Sequence, residues 1–268
     1  MLPKSFSGEW YFNPILFKFG VLETRWYGLL IAIAVMLAVS IAEKQAKKEK
    51  ILENDFFGAI IFGIIFGIIG ARLYYVTFNW NYFSQYPTEI IKTWHGGMAI
   101  HGGVLGSILA AYIYTKRKKC SMKFLQSLDL FTFVLPLAQA IGRWGNFMNH
   151  EAYGGPTELP WKMFIALKDR MPGYESYSYF HPTFLYESIL DLSIFLFLLY
   201  YIRNKRNSFG EVTALYLILY SIGRGFIETL RTDSLMIFGM KTAVLISFIL
   251  SIIGIVMFIY IKKKENKK

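Results

Sequence analysis

The sequence predicts an all-α membrane protein that crosses the bilayer about seven times, with its amino terminus outside and its carboxyl terminus in the cytoplasm. Three observations carry this reading. Apolar residues make up 54% of the 268 and aromatic residues 18%, a composition beyond that of ordinary soluble domains. The apolar residues gather in runs close to the ~17–25 residues a helix needs to span a bilayer. Basic residues concentrate at alternate joints between those runs.

In chain order the runs are Tyr27 to Ala42, Phe56 to Val76, Met98 to Tyr114, Phe124 to Ile141, Thr183 to Ile202, Glu211 to Leu230 and Met240 to Ile261. Glycine recurs inside them, as at Gly58, Gly63, Gly67 and Gly70 of FGAIIFGIIFGIIGARLYY. Such spacing weakens a soluble helix but lets membrane helices pack closely. Seventeen Lys and Arg follow the odd-numbered runs, among them Lys116, Arg117, Lys118 and Lys119, against nine at the opposite ends, which include Lys92, Arg231 and Lys241. By the positive-inside rule the odd-numbered runs therefore travel inward. This topology, with anionic lipid contact, accounts for the net charge of +11, and no nucleic-acid partner is expected.

The opening MLPKSFSGEWYFNPILFKFG lacks the charged start, apolar stretch and cleavage site of a signal peptide, so it is expected to remain and to lie at the outer interface. Cys120 is the one cysteine and falls in a basic cytoplasmic joint, which excludes a disulfide framework and leaves the outer side without a thiol nucleophile. There is no P-loop and no metal-spaced His/Cys cluster, so neither a metal nor a cofactor is expected. Residues 1–268 read as a single integral membrane domain, with 148–182 as an outer-side loop or head.

Orientation assigns each polar residue a depth. Arg25 and Tyr27, Arg72, His101, Arg143, Glu187 and Asp191, and Arg224 and Glu228 all fall in the outer half. A charge at mid-membrane costs about 2.5–3.5 kcal/mol even on lenient scales. Snorkelling relieves that cost near the interface, so any one of these residues alone also reads as an anchor. Their convergence at one level reads as a site. Arg224 and Glu228 are four apart and share a helix face with Tyr220; they form either an arginine braced toward a ligand anion or a self-neutralising pair. Glu187 and Asp191, also four apart, need a cation such as Arg72 or a raised pKa. His101 stands at a helix mouth beside Gly102, Gly103 and Gly106, which admit a substrate or another helix. In IGRWGNFMNHEAYGG, Arg143 offers planar paired donors that match phosphate oxygens, while Asn146, Asn149 and Glu151 add partners for hydroxyls or ester carbonyls. Two arginines at one depth on different helices would clamp one phosphate at headgroup level, which points to a phospholipid ligand.

These residues carry a resemblance. GRWGNFMNHEAYG, Gly142 to Gly154, resembles the signature of bacterial prolipoprotein diacylglyceryl transferases, G-R-x-G-N-F-x-N-x-E-x-x-G, at every fixed position. RWYG from Arg25, HGG from His101, HPTFLYE from His181 and the spacing of Tyr220, Arg224 and Glu228 are also similar to that family. The resemblance implies a multi-pass enzyme of the bacterial cytoplasmic membrane, its site open to the outer leaflet. Such an enzyme moves the diacylglyceryl group of phosphatidylglycerol to the lipobox cysteine of a prolipoprotein signal peptide, forming a thioether and releasing glycerol phosphate. It implies Arg143 and Arg224 as stabilisers of the departing phosphate, with Asn146, Asn149, Glu151, Gly154, Tyr220, His181 and Glu187 around the substrate. A thiol of pKa near 8.5 needs a base, and His101, ordinarily near 6.5, is the first candidate; Tyr27 and Glu228 are the others. A transporter of lipid-like anions would also place basic groups outside, but would carry polar residues to both faces, and here the inner halves are nearly bare. A purely structural membrane subunit would not need the polar density of 143–151.

Overall fold

The computed structural model describes residues 12–20, 22–234, 236–237 and 239–266. The expectation for the first eleven residues lies outside the described residues. A hairpin of β1 (Ile15–Phe19) and β2 (Leu22–Arg25) leads into α1 (Trp26–Lys48), followed by α2 (Glu53–Phe78) and the single turn α3 (Trp80–Phe83). Two 3-10 turns, Pro87–Ile91 and Thr93–His95, precede α4 (Ile100–Thr115), α5 (Phe124–Thr132) and α6 (Leu135–Met148). The pair β3 (Met163–Phe164) and β4 (Tyr179–Phe180) comes before α7 (Thr183–Asn204) and α8 (Glu211–Leu230). A last hairpin, β5 (Met236–Ile237) and β6 (Met240–Lys241), opens α9 (Thr242–Glu265).

Among the described residues, five stretches are long and apolar enough to cross a membrane: α1, α2, the α5–α6 stretch Phe124–Met148, α7 and α9. Helix α4 has only 16 residues, and α8 carries Glu211, Arg224 and Glu228 among its 20. The fourth run is two helices because Pro136 has no N–H, and its ring crowds the carbonyl of residue 132, where α5 stops. Ile61, Ile64, Ile65, Ile68 and Ile69 of α2 are all exposed. A stripe of that size is stable only against lipid. The protein is multi-pass and membrane-embedded.

Two compact units divide the chain: Ala42–Phe131, and the remainder before and after it. In the first, α2 lies against α4 at glycine contacts. A Cβ on Gly106 would fall within 3.3 Å of the Gly70 backbone, one on Gly102 would strike the Gly70 carbonyl, and Ser107 Oγ donates to the Gly63 carbonyl at 3.1 Å. It is another helix that these glycines admit. Arg72 spends its guanidinium on the loop after α3: Nε donates to Ile90 O at 2.9 Å, Nη1 to Gly96 O and Gly97 O at 2.6 and 2.8 Å, and Nη2 to Glu89 O at 2.5 Å.

In the second unit α6 packs on α7 and α8 on α9. Ser188 Oγ donates to Ala140 O at 2.9 Å and receives Trp144 Nε1 at 3.2 Å, joining α6 to α7. At the other end of the bundle, fully buried Glu211 accepts from Tyr201 Oη at 2.7 Å and Ser208 N at 3.0 Å, and pairs with Lys262 Nζ at 3.0 Å. Between α6 and α7 the chain folds into a head around Tyr153, Met163, Ile165 and Phe180, continuous with Phe147 and Phe184 of the flanking helices. Arg170 staples this head by donating to Ile165 O, Glu175 O and Ser178 Oγ.

Gly102→Val is expected to wedge α2 from α4 and lower stability by about 1–3 kcal/mol, seen as a lower melting temperature in detergent. Gly63→Ala, where a Cβ meets nothing within 4 Å, should leave the transition unchanged or slightly higher.

Candidate functional site

Three helices deliver the charged residues to one place. Arg143 projects from α6, Glu187 and Asp191 from successive turns of α7, Arg224 and Glu228 from successive turns of α8, and Arg231 caps α8. Glu187 is the hub. One carboxylate oxygen pairs with Arg143 Nη2; the other lies 2.5 Å from Arg224 Nη1 and 3.4 Å from Arg231 Nη1. Arg224 Nη2 is 2.5 Å from Glu228, and Arg231 reaches Asp233 at 2.7 and 2.9 Å. Glu187, Asp191 and Glu228 are only 3%, 1% and 3% exposed. Asp191 accepts no hydrogen bond, and its closest cation is Arg143 Nε at 3.9 Å.

This corrects one expectation. The cation that balances Glu187 is not Arg72, whose donors are spent on the carbonyls of 89–97, but Arg143, Arg224 and Arg231. Sequence reasoning left Arg231 among the outer basic residues and did not single out Asp233. Arg231 follows Glu228 by three and Arg224 by seven, which is the spacing of one helix face, so the signal was present.

The signature segment leaves α6 in a tight reversal. Asn146 and Asn149 donate through Nδ2 to one oxygen of Glu151, at 3.0 and 3.3 Å, and Glu151 N donates to Asn146 O at 3.1 Å. His150 and Ala152 adopt φ of 55° and 59°. Side chains rarely take that left-handed conformation, and here it turns Glu151 back onto α6. Tyr27 packs its ring where Gly145 lacks a side chain. Gly154 donates to His181 O at 2.9 Å and bridges to Arg231; a Cβ there would lie 3.0 Å from the Leu230 carbonyl.

Tyr220 stacks on Tyr216 at 5.4 Å, one turn before Arg224. The His181 ring meets Tyr186 Oη at 3.3 Å, and that hydroxyl also receives Trp161 Nε1 at 2.7 Å; burial holds the imidazole below its usual pKa. His101 belongs to the Ala42–Phe131 unit, where its exposed ring is the second residue of α4 and lies 6.1 Å from Tyr74. Arg143, Glu187, Arg224 and Glu228 thus form one cluster, and Asn146, Asn149 and Glu151 another. Among the described residues no group of three His, Cys, Asp or Glu could hold a metal.

A sequence profile described as prolipoprotein diacylglyceryl transferase matches residues 14–260. Proteins named phosphatidylglycerol–prolipoprotein diacylglyceryl transferase from Fervidobacterium nodosum and Thermotoga maritima are each 49% identical over 100% of this chain and 91% of their own length. The protein of that name from Clostridioides difficile is 48% identical over 95% of this chain and 97% of its own.

In the head, burial pushes His150 below its usual pKa, and Asp169, 3.5 Å away, only partly opposes this. The folded state therefore favours the neutral ring. Its contribution is present above the unfolded value near 6.5 and is lost as pH falls through the lower folded value. Amide protection across 150–170, taken relative to the intrinsic base-catalysed exchange rate at each pH, should be lower at pH 5.5 than at 7.5, and His150→Gln should flatten that difference. A protection factor that does not change between these pH values in the unsubstituted protein would contradict the assignment.

Proposed function

The chain belongs to the prolipoprotein diacylglyceryl transferase family, and from that premise we propose that its paired arginines bind the phosphate that leaves in the reaction. It is a transferase that moves the diacylglyceryl group of phosphatidylglycerol to the lipobox cysteine of a prolipoprotein and releases glycerol phosphate. The thiolate sulfur attacks the glyceryl carbon and the C–S bond forms as the C–O bond breaks. The electron pair of that bond goes to the phosphate oxygen, and the thiol proton to a base.

The observation that carries the proposal is the meeting of Arg143 and Arg224, from two helices, on the single carboxylate of Glu187. An anion already occupies the place where a phosphate would sit. Arg143, Arg224 and Arg231 face four carboxylates, Glu187, Asp191, Glu228 and Asp233, so the cluster has no surplus positive charge. The lipid phosphate takes over guanidinium edges that Glu187 holds in its absence. Charge then grows on that phosphate while the guanidiniums are already oriented, a contribution of about 3–4 kcal/mol for each donor lost.

Glu228 pairs with Arg224 through Oε2, which favours a bracing role for it over that of the base. His101, exposed at the start of α4, serves as the base; Tyr27 shapes the signature helix through Gly145. Asn146, Asn149 and Glu151 orient the glycerol and ester oxygens beside Tyr220, Gly154 and His181. We read all 268 residues as one integral domain of the bacterial cytoplasmic membrane with seven spans, the amino terminus and the 148–182 head outside, and the site open to the outer leaflet. The seventeen-to-nine basic asymmetry and the mixed charge of α8 support this reading.

Turnover of phosphatidylglycerol with a lipobox peptide by folded variants tests the clamp. Lysine keeps the charge but loses the paired planar donors, so Arg143→Lys and Arg224→Lys should each lose on the order of a hundredfold in rate. Near-normal rates for both would sink it. For topology, a cysteine at position 176 should react with an impermeant maleimide from outside while Cys120 stays shielded; labelling of Cys120 in intact cells would invert the orientation.

A further inference from the structure

Helix α8 ends without the usual left-handed cap. Its C-cap residue, Arg231, is extended, with φ −76° and ψ 146°, so no glycine-type turn closes over the final carbonyls. Those carbonyls are satisfied from elsewhere. Lys241 Nζ donates to Glu228 O at 2.8 Å, Thr229 O at 3.2 Å and Arg231 O at 2.7 Å, and Gly155 N donates to Leu230 O at 2.8 Å. Every carbonyl from 228 to 231 is therefore held, three of them by one side chain.

We propose that Lys241 is a positioning residue for the transfer reaction, its ammonium fixing the end of α8 that carries Glu228 and Arg231 and through them the Arg224–Glu187 contact. The proposal rests on the arginine reading above. An ammonium has three donors, and here they meet three acceptors; its charge sits at the negative end of the helix dipole. The backbone it grips belongs to the residues whose side chains pair with Arg224 and Glu187. Lys241 also lies in β6 and is the N-cap residue of α9, so the same residue registers the last helix against the site helix. Among the described residues its ammonium hydrogen-bonds main-chain carbonyls and no charged side chain, so it acts through main chain. A methionine would keep the apolar stem and leave three carbonyls without their donor, and a guanidinium, planar and forked, cannot present three donors in the same way.

The test is steady-state kinetics of the full-length protein in detergent, with phosphatidylglycerol and a lipobox peptide. Lys241→Met is expected to lower kcat on the order of tenfold while the KM for phosphatidylglycerol stays within about twofold. Lys241→Arg should recover part of that loss. In a Glu228→Gln background the same Lys241→Met change should cost much less, because the two act along one route. A well-folded Lys241→Met enzyme with normal kcat overturns the proposal, as does a loss that is fully additive with Glu228→Gln. If Lys241→Met does not accumulate, Lys241→Arg decides: reduced kcat in folded protein supports positioning, and full kcat overturns it. These results separate from the clamp itself, which fails only if Arg143→Lys and Arg224→Lys keep their rates.

Discussion

The buried carboxylate of Glu187 is the constraint on which one end of the larger unit depends. It draws guanidiniums from α6 and α8 and from the residue that caps α8, while itself riding on α7. Charges this far from water are tolerated only when paired. Removing one partner of such a pair costs about 3–5 kcal/mol, far more than the pair contributes relative to apolar replacements. The helices are thus held in the arrangement that keeps these pairs closed, and the arrangement keeps two arginines aimed at one point.

Around that centre the supports are mostly backbone. The left-handed residues His150 and Ala152 bend the signature segment so that Glu151 caps two asparagines of its own helix. Gly154 and Gly155 let the head touch the last turn of α8. Lys241 closes the same turn from the other side. Strain and close approach of this kind persist only when neighbours over-determine them, and here hydrogen bonds reach the α8 exit from the head, from β6 and from its own cap.

Arg72 in one unit and Arg143 and Arg224 in the other are satisfied in different ways. Arg72 donates to backbone carbonyls and thereby orders the loop that runs into α4 and His101. Arg143 and Arg224 donate to carboxylates. A guanidinium bound to carbonyls has no anion to exchange and is a fixture. One bound to a carboxylate can trade that anion for another, which is the property a phosphate-handling site needs. This difference, rather than depth or charge, separates Arg72 from the two arginines proposed to bind the phosphate.

The sequence by itself determined where the apolar helices lie, because the cost of exposing backbone and apolar side chains accrues locally, residue by residue. It also set the polar signature between Gly142 and Gly154, whose chemistry reads directly as hydrogen-bond donors and acceptors. Helical spacing tied Arg224 to Glu228, and the same spacing contained Arg231. Only the tertiary structure decided which cation meets Glu187, because those partners lie 37 and 44 positions away in the chain, and many pairings satisfy the same count of charges. It likewise decided that the glycines of α4 admit α2, and that Lys241, in sequence just another outer basic residue, closes the end of α8. Local pattern fixes which face of a helix is polar; which distant group that face meets depends on packing, since buried charges select among partners by geometry and not by sequence order.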